Sequence, residues 1–139
     1  MSDRPTTALR NTERTPEVDA AFTKMYAERA AQAAARPAIL AEGEAALRRL
    51  FDIAQGNSGQ CRHVAAFLLG LYHGGRFRFD LTDLRCVDQA IFDDCIAVLK
   101  MDAQPKQEVH EFFENGGEKF EKMAKRWGVT DYLNSPCSV

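Results

Sequence analysis

Cysteine and histidine side chains can bind a metal ion or take part in nucleophilic catalysis, and the candidates in this sequence include Cys61, His63, His73, Cys86, Cys95 and His110. A structural zinc site needs four such ligands around one ion, and the paired short spacings of zinc fingers and ribbons do not occur here. On a shared helix, Cys86 and Cys95 would point to opposite faces, about 13 Å apart along the axis. We therefore predict no metal site.

Cys61 and His63 are the local pair from which a catalytic site could be built. A cysteine nucleophile needs a thiolate, a base beside it and a third group that orients the base, and closeness in the sequence does not supply that arrangement. The chain also lacks the glycine-rich phosphate loops, the nucleophile elbow and the paired-histidine motif of metalloproteases. We predict a protein that is not an enzyme and has no cofactor, with a Cys61 nucleophile as an alternative.

The segment Arg76-Phe77-Arg78-Phe79 alternates cations with aromatic rings, and Asp80 and Asp83 follow it. This composition suits both acidic protein surfaces and nucleic-acid backbones. We predict a partner-binding turn made of Arg76, Phe77, Arg78, Asp80 and Asp83. In the alternative interpretation both rings point into the core, the arginines are solvated or pair with aspartates, and the two aspartates cap helices.

Four further residues are predicted to have structural roles, and they are Asp88, Phe112, Phe120 and Trp127. On a helical wheel, Asp88 falls at the edge of an apolar stripe, where carboxylates are almost always paired. We expect it to bind the region of Arg62 or Arg76. The three aromatic residues occupy apolar positions of the predicted helices near the end of the chain and are expected in the core.

Length and composition indicate an ordinary folded domain. The chain has 139 residues, of which 45% are hydrophobic and 27% are charged, as in average globular proteins. Its formal net charge of -2 provides no general attraction to nucleic acid. No apolar run reaches the roughly 18–20 residues that span a bilayer, and the scattered cysteines do not resemble a secreted disulfide framework. We predict a cytoplasmic protein with no membrane partner.

Apolar residues recur at helical spacing along most of the chain, which predicts an all-α fold of five or six short to medium helices in one compact orthogonal or bundle-like domain. Segment 76–79 is predicted to be a loop rather than a strand. Capping residues, prolines and glycines predict helices over about 16–36, 38–55, 59–73, 80–100, 105–114 and 118–127.

The predicted domain covers residues 15–128. Residues 1–14 have too few apolar side chains to offset the conformational entropy that is lost on ordering, and they are predicted to be a flexible N-terminal tail. Residues 129–139 are predicted to be a C-terminal tail. Residues 16–36 carry an apolar stripe and an alanine-rich face that another helix could approach closely. We expect this helix to pack against the next one after a turn at Pro37, or alternatively to form a homodimer.

Several short motifs carry a resemblance to a family of small uncharacterised proteins of bacterial plasmids, integrative elements and phages. They are Gly59-Gln60-Cys61-Arg62, Phe67-Leu68-Leu69-Gly70-Leu71-Tyr72, Phe79-Asp80-Leu81-Thr82-Asp83-Leu84, and Asn115-Gly116-Gly117 followed by Phe120 and Trp127. The resemblance implies a mobile-element setting, in which small helical proteins often bind a host protein and some inhibit host defence, as anti-CRISPR proteins do.

We therefore expect a non-enzymatic interaction protein of a mobile element or phage that binds a host or phage protein through the turn around residues 77–83. Inhibition of a host defence system is one role that this expectation includes. The alternative is a nucleic-acid-associated accessory or regulatory factor, which would use Arg76 and Arg78 together with the basic last helix. The negative net charge favours the first of these functions.

Overall fold

The computed structural model of the chain describes residues 15–134. Within them it contains α-helices and short 3-10 helices and no strand, so the predicted all-α class is confirmed. The elements are α1 (Pro16–Ile53), α2 (Gly59–Tyr72), α3 (Gln89–Asp102) and α4 (Gly116–Trp127), with 3-10 helices at Leu81–Cys86 and Val109–Phe112. The predicted tail 1–14 lies outside the described residues. No helix among those described is long and apolar enough to cross a membrane.

Helix α1 begins as predicted but does not end at Pro37. Thr15 caps it, because the Thr15 hydroxyl accepts a hydrogen bond from the Val18 N–H at 3.1 Å. The predicted break at Pro37 is wrong, since this proline lies inside the helix. Proline removes one backbone donor and crowds the preceding turn, but the alanines around it are the strongest helix formers and the helix continues. The turn predicted at Pro37 is therefore absent.

The chain divides after Pro37 into two compact units. In the first unit the side chains of Val18, Phe22 and Tyr26 follow one another at helical spacing and are exposed. The second unit, from Ala38 onward, contains the hydrophobic core. Its largest fully buried side chains are Leu47, Leu50, Val64, Leu68, Leu69, Phe77, Cys95, Val98, Met101, Val109 and Phe120.

In this core α2 packs against α4, and the 3-10 helix Val109–Phe112 packs against both. The closest approach is at Gly116, where an added Cβ would lie 1.6 Å from the His110 carbonyl oxygen. Asn115, just before it, has a left-handed backbone with φ of 53° that lets the chain enter α4. These two residues bring the 3-10 helix and α4 into direct contact.

Two predicted helices are shorter than expected. The predicted helix over 80–100 is interrupted: it forms a 3-10 helix, leaves the helical conformation at Val87 and Asp88, and resumes as α3. The reason is a tertiary contact, because the Gln60 side chain accepts the Asp88 N–H at 2.6 Å and donates to the Asp88 carboxylate at 3.1 Å. The predicted helix from Pro105 is only the 3-10 helix Val109–Phe112. Segment 76–79 is a loop, as predicted.

The described part of the predicted C-terminal tail packs against the second unit. Gly128 ends α4 with a left-handed backbone, φ 61°, and the N–H of Val129 donates to Ala124. The N–H of Tyr132 then donates to the Arg76 carbonyl at 2.8 Å. Residues 128–132, which we call the C-terminal strap, are therefore bound to the loop that follows α2.

Candidate partner-binding cleft

The predicted binding turn separates into inward and outward side chains, and Arg76 is inward. Its guanidinium forms a bidentate pair with Glu121 at 2.6 and 2.9 Å and also donates twice to one oxygen of Asp131, at 3.0 and 2.9 Å. It lies 4.6 Å above the ring of Phe77, which is buried. Arg76 and Phe77 therefore hold the fold together, since two carboxylates neutralise the charge of Arg76 and the Phe77 side chain is buried.

The charges in this cluster shift one another's protonation. Hydrogen bonds from Arg76 lower the pKa of Glu121 to about 2, and the Tyr72 hydroxyl donates to the same carboxylate at 2.5 Å. The pKa of Asp131 is also well below its ordinary range, first because of Arg76 and then because of Asn134. Burial, followed by the hydrogen bond to Glu121, raises the pKa of Tyr72. At neutral pH these shifts keep both carboxylates charged and the Tyr72 hydroxyl protonated, which is the form in which it donates to Glu121.

Arg78 is exposed and lies beside an open cleft of about 370 Å³. Its guanidinium carbon is 4.3 Å from the centre of the Tyr132 ring, a cation–π contact that fixes its position. The cleft lies between the start of α2, the loop after α2 and the C-terminal strap. Its lining residues are Arg62, His63, Ala66, Arg78, Asp83, Gly128, Val129, Thr130 and Tyr132.

The cleft carries a local excess of positive charge. Within residues 15–134, neither Arg62 nor Arg78 is paired with a carboxylate. Asp83, the one acidic residue that lines the cleft, has its Oδ2 at 3.4 Å from Nδ1 of His63. Two arginines at one concave surface attract anions, and the planar guanidinium is suited to binding carboxylates in a bidentate manner. The arrangement is therefore suited to an acidic group.

The remaining predicted residues have structural positions. Asp80 caps the first 3-10 helix, because its carboxylate accepts the N–H of Thr82 at 2.9 Å. Asp88 is connected to the predicted region of α2, but through Gln60 and not through an arginine. Phe120 is fully buried, whereas Phe112 and Trp127 are half-buried. The indole N–H of Trp127 donates to the Ala54 carbonyl at 2.9 Å.

The structure gives Cys61 and His63 separate partners. Ser58 accepts the N–H of Cys61 as the helix cap, and its hydroxyl lies 3.1 Å from the Cys61 sulfur. This hydrogen bond lowers the pKa of the Cys61 thiol, while His63 faces Asp83 in the cleft. Among the described residues no group of three or more histidine, cysteine or acidic side chains could hold a metal ion.

The basic face of α4 is only partly available for binding. Lys119, Lys122 and Lys125 are exposed. Arg126, in contrast, donates to the carbonyl oxygens of Ala54 and Gly56 at 2.9 and 2.7 Å. These hydrogen bonds of Arg126 connect α4 to the end of α1.

Sequence reasoning identified Arg78 and Asp83 but missed three other residues of the cleft. Arg62 and His63 directly follow the cap of α2, and Tyr132 lies in a segment that was predicted to be a tail. Arg62 is part of the motif Gly59-Gln60-Cys61-Arg62 and could have been noticed there. No local signal in the sequence indicates that Tyr132 would stack on Arg78, because the contact depends on the Asp131–Arg76 pair.

Residues 44–128 match the model of a protein family described as "Family of unknown function (DUF7673)". This range contains the motifs on which the resemblance to an uncharacterised family rests. No curated protein and no solved structure matches the chain.

Proposed function

The chain belongs to the Family of unknown function (DUF7673), and from its own geometry we propose that it is a non-enzymatic protein that binds another protein through the cleft. The observation that carries the proposal is the pair of arginines, Arg62 and Arg78, that line one concave surface without carboxylate partners in residues 15–134. Arginine and tyrosine are enriched among the residues that dominate binding energy at protein interfaces. The partner would present an acidic segment.

The proposed partner is a host or phage protein, and the proposed setting is a cytoplasmic one in a bacterium that carries a plasmid, integrative element or phage. Inhibition of a host defence system, in the manner of an anti-CRISPR protein, is the role that this setting favours. Its support is the motif resemblance and not the geometry of the cleft. Binding, and not chemistry, is proposed because Arg62, Arg78 and the ring of Tyr132 line the cleft, whereas the Cys61 thiol is hydrogen-bonded to Ser58 and is not among its lining residues.

The alternative is a nucleic-acid-associated factor that uses the same two arginines and the exposed lysines of α4. Its support is weaker, because Arg76 and Arg126 are already bound within the fold and the net charge is -2. A nucleic-acid complex should lose affinity steeply as the salt concentration rises.

The test is affinity capture of the tagged full chain from a bacterial host lysate, with and without nuclease. We expect a stoichiometric protein that survives nuclease, is retained by the wild type and is lost when Arg62 and Arg78 are both changed to Gln. The matched control is Lys106→Gln, which removes an exposed cation that does not line the cleft. Loss of all retained material on nuclease treatment would instead support the nucleic-acid function.

A homodimer through residues 16–36 remains a prediction. Val18 and Tyr26 are exposed in the first unit and offer apolar surface to a second copy. Sedimentation velocity at increasing protein concentration measures this directly. A monomer at all concentrations would contradict it.

A further inference from the structure

A second concave surface lies on the other side of the loop that lines the cleft, and it is apolar. This groove has a volume of about 260 Å³ and is lined by α2, by the residues that follow it and by one leucine of α3. Its lining includes Gly70, Gly74, Phe77, Phe79, Leu81 and Leu99. Small-molecule sites usually measure about 300–1,000 Å³, so the groove is better matched to a side chain of a partner.

The groove and the cleft share one segment of the chain. Phe77, Phe79 and Leu81 line the groove, whereas Arg78 and Asp83 line the cleft. Residues 77–79 are not helical, and successive side chains of such a segment point to opposite sides, so this backbone separates the cationic side chain of Arg78 from the apolar groove. A partner segment that crosses this backbone would contact both surfaces.

The exposed side chains that line the groove contribute little to the stability of the fold. Leu81 is 71% exposed, and the 3-10 helix that it begins contains no buried residue. Leu99 is also exposed. At the wall formed by α2, Gly70 lets the following loop pack closely, because an added Cβ there would lie 3.1 Å from the Cβ of Phe79. Both leucines therefore present exposed apolar surface to the groove.

We propose that the groove receives one large apolar side chain, such as leucine, from the same acidic segment that the cleft binds. This inference rests on the proposed function, because the positive charge of Arg62 and Arg78 sets the acidic character of the occupant. Since one backbone separates the cleft from the groove, the acidic residues and the apolar residue would lie close together in the sequence of the partner segment. The recognised element is then a short acidic segment with one apolar anchor.

The test uses two short synthetic peptides with the same acidic residues, one with a leucine at the anchor position and one with serine there. Each is titrated into the ¹⁵N-labelled full chain and followed by amide chemical shifts. Both peptides should shift the amides around Arg78, Gly128 and Thr130. Only the leucine peptide should also shift Gly70 and Leu81, and it should bind about tenfold more tightly, as expected for burial of most of one leucine side chain.

Two leucine variants test whether the preference for the leucine peptide arises in the groove or from nonspecific apolar binding. Leu81→Ser should abolish the tenfold preference for the leucine peptide and leave the binding of the serine peptide unchanged. Leu133→Ser is the matched control, because Leu133 is 65% exposed and lines neither the groove nor the cleft. It should retain the preference. Both variants replace exposed side chains and should remain folded.

Different results would overturn this inference and the proposed function. Equal affinity for the two peptides, or a preference that survives Leu81→Ser, would overturn the groove as an anchor site while leaving acidic binding intact. If neither peptide shifts the amides of the cleft, or if changing both Arg62 and Arg78 to Gln has no effect on binding, the proposed function and this inference fall together.

Discussion

Replacing Arg76 with Gln should destabilise the second unit by about 2–3 kcal/mol. Exposed ion pairs contribute about 0–1 kcal/mol, whereas breaking a buried pair costs about 3–5 kcal/mol. The Arg76 side chain is 19% exposed and makes four hydrogen bonds to two carboxylates, which places it between these limits. The substitution leaves the carboxylate of Glu121 with only the hydroxyl of Tyr72 as a hydrogen-bond donor.

The assay is urea denaturation, with Arg49→Gln as a matched control. Arg49 forms the same bidentate geometry with Asp94, at 3.0 and 2.8 Å, but its side chain is 60% exposed. Its replacement should cost less than about 1 kcal/mol because water screens an exposed pair. Equal costs for the two substitutions would refute the reasoning that partial burial makes Arg76 important.

The same cluster predicts a loss of stability in acid. The pKa of Glu121 falls from an ordinary 4.5 to about 2 in the folded chain, so the folded state binds this proton less readily than the unfolded state. The stabilisation is complete above the unfolded value and is lost as the pH falls towards about 2. The lowered pKa of Asp131 acts in the same direction. Stability curves of the wild type and Arg76→Gln should converge progressively as the pH falls from about 4.5 to about 2, and parallel curves would contradict the assignment.

Two further substitutions test the backbone. Because α1 already passes through Pro37, Pro37→Ala should leave the helical circular dichroism signal nearly unchanged and, by restoring a backbone donor, slow amide exchange in the flanking turns. A large increase in the helical signal would indicate that the helix is broken at this proline. Gly116→Ala should cost more than about 3 kcal/mol or prevent folding, since its Cβ would meet the carbonyl of His110. Its control is Gly117→Ala, where a Cβ meets nothing within 4 Å. That change should be neutral or stabilising by up to about 1 kcal/mol in denaturation experiments.

The all-α class and several helix boundaries could be predicted because they depend on local signals. Two helices begin at caps, one at Thr15 with Pro16 and one at Ser58, and a third ends at Gly128. Each of these signals acts within one turn of the chain. The wrong helix boundaries arise from tertiary contacts or from the summed helix propensity of many residues. The helix break at Asp88 depends on Gln60, which lies in α2, and the helix across Pro37 depends on the summed propensity of many alanines.

The cleft could be predicted only in part for the same reason. Segment 76–79 is a loop, as predicted, and it carries both cations and aromatic rings. Its sequence does not show which of these side chains face the core. That choice depends on Glu121 and Asp131, whose carboxylates lie 45 and 55 residues further along the chain and neutralise Arg76. Without these partners in view, Arg76 and Arg78 look equivalent in the sequence.

Arg76 and Arg78 thus have complementary functions in one loop. The side chain of Arg76 holds Asp131, and its carbonyl accepts the N–H of Tyr132 at 2.8 Å. These two bonds position the C-terminal strap, which forms one wall of the cleft and supplies the ring on which Arg78 lies. A guanidinium fixed on a ring loses less conformational entropy on binding than a free one. Arg76 is therefore a positioning residue: the bonds that neutralise its charge inside the fold also hold the Tyr132 ring on which Arg78 lies.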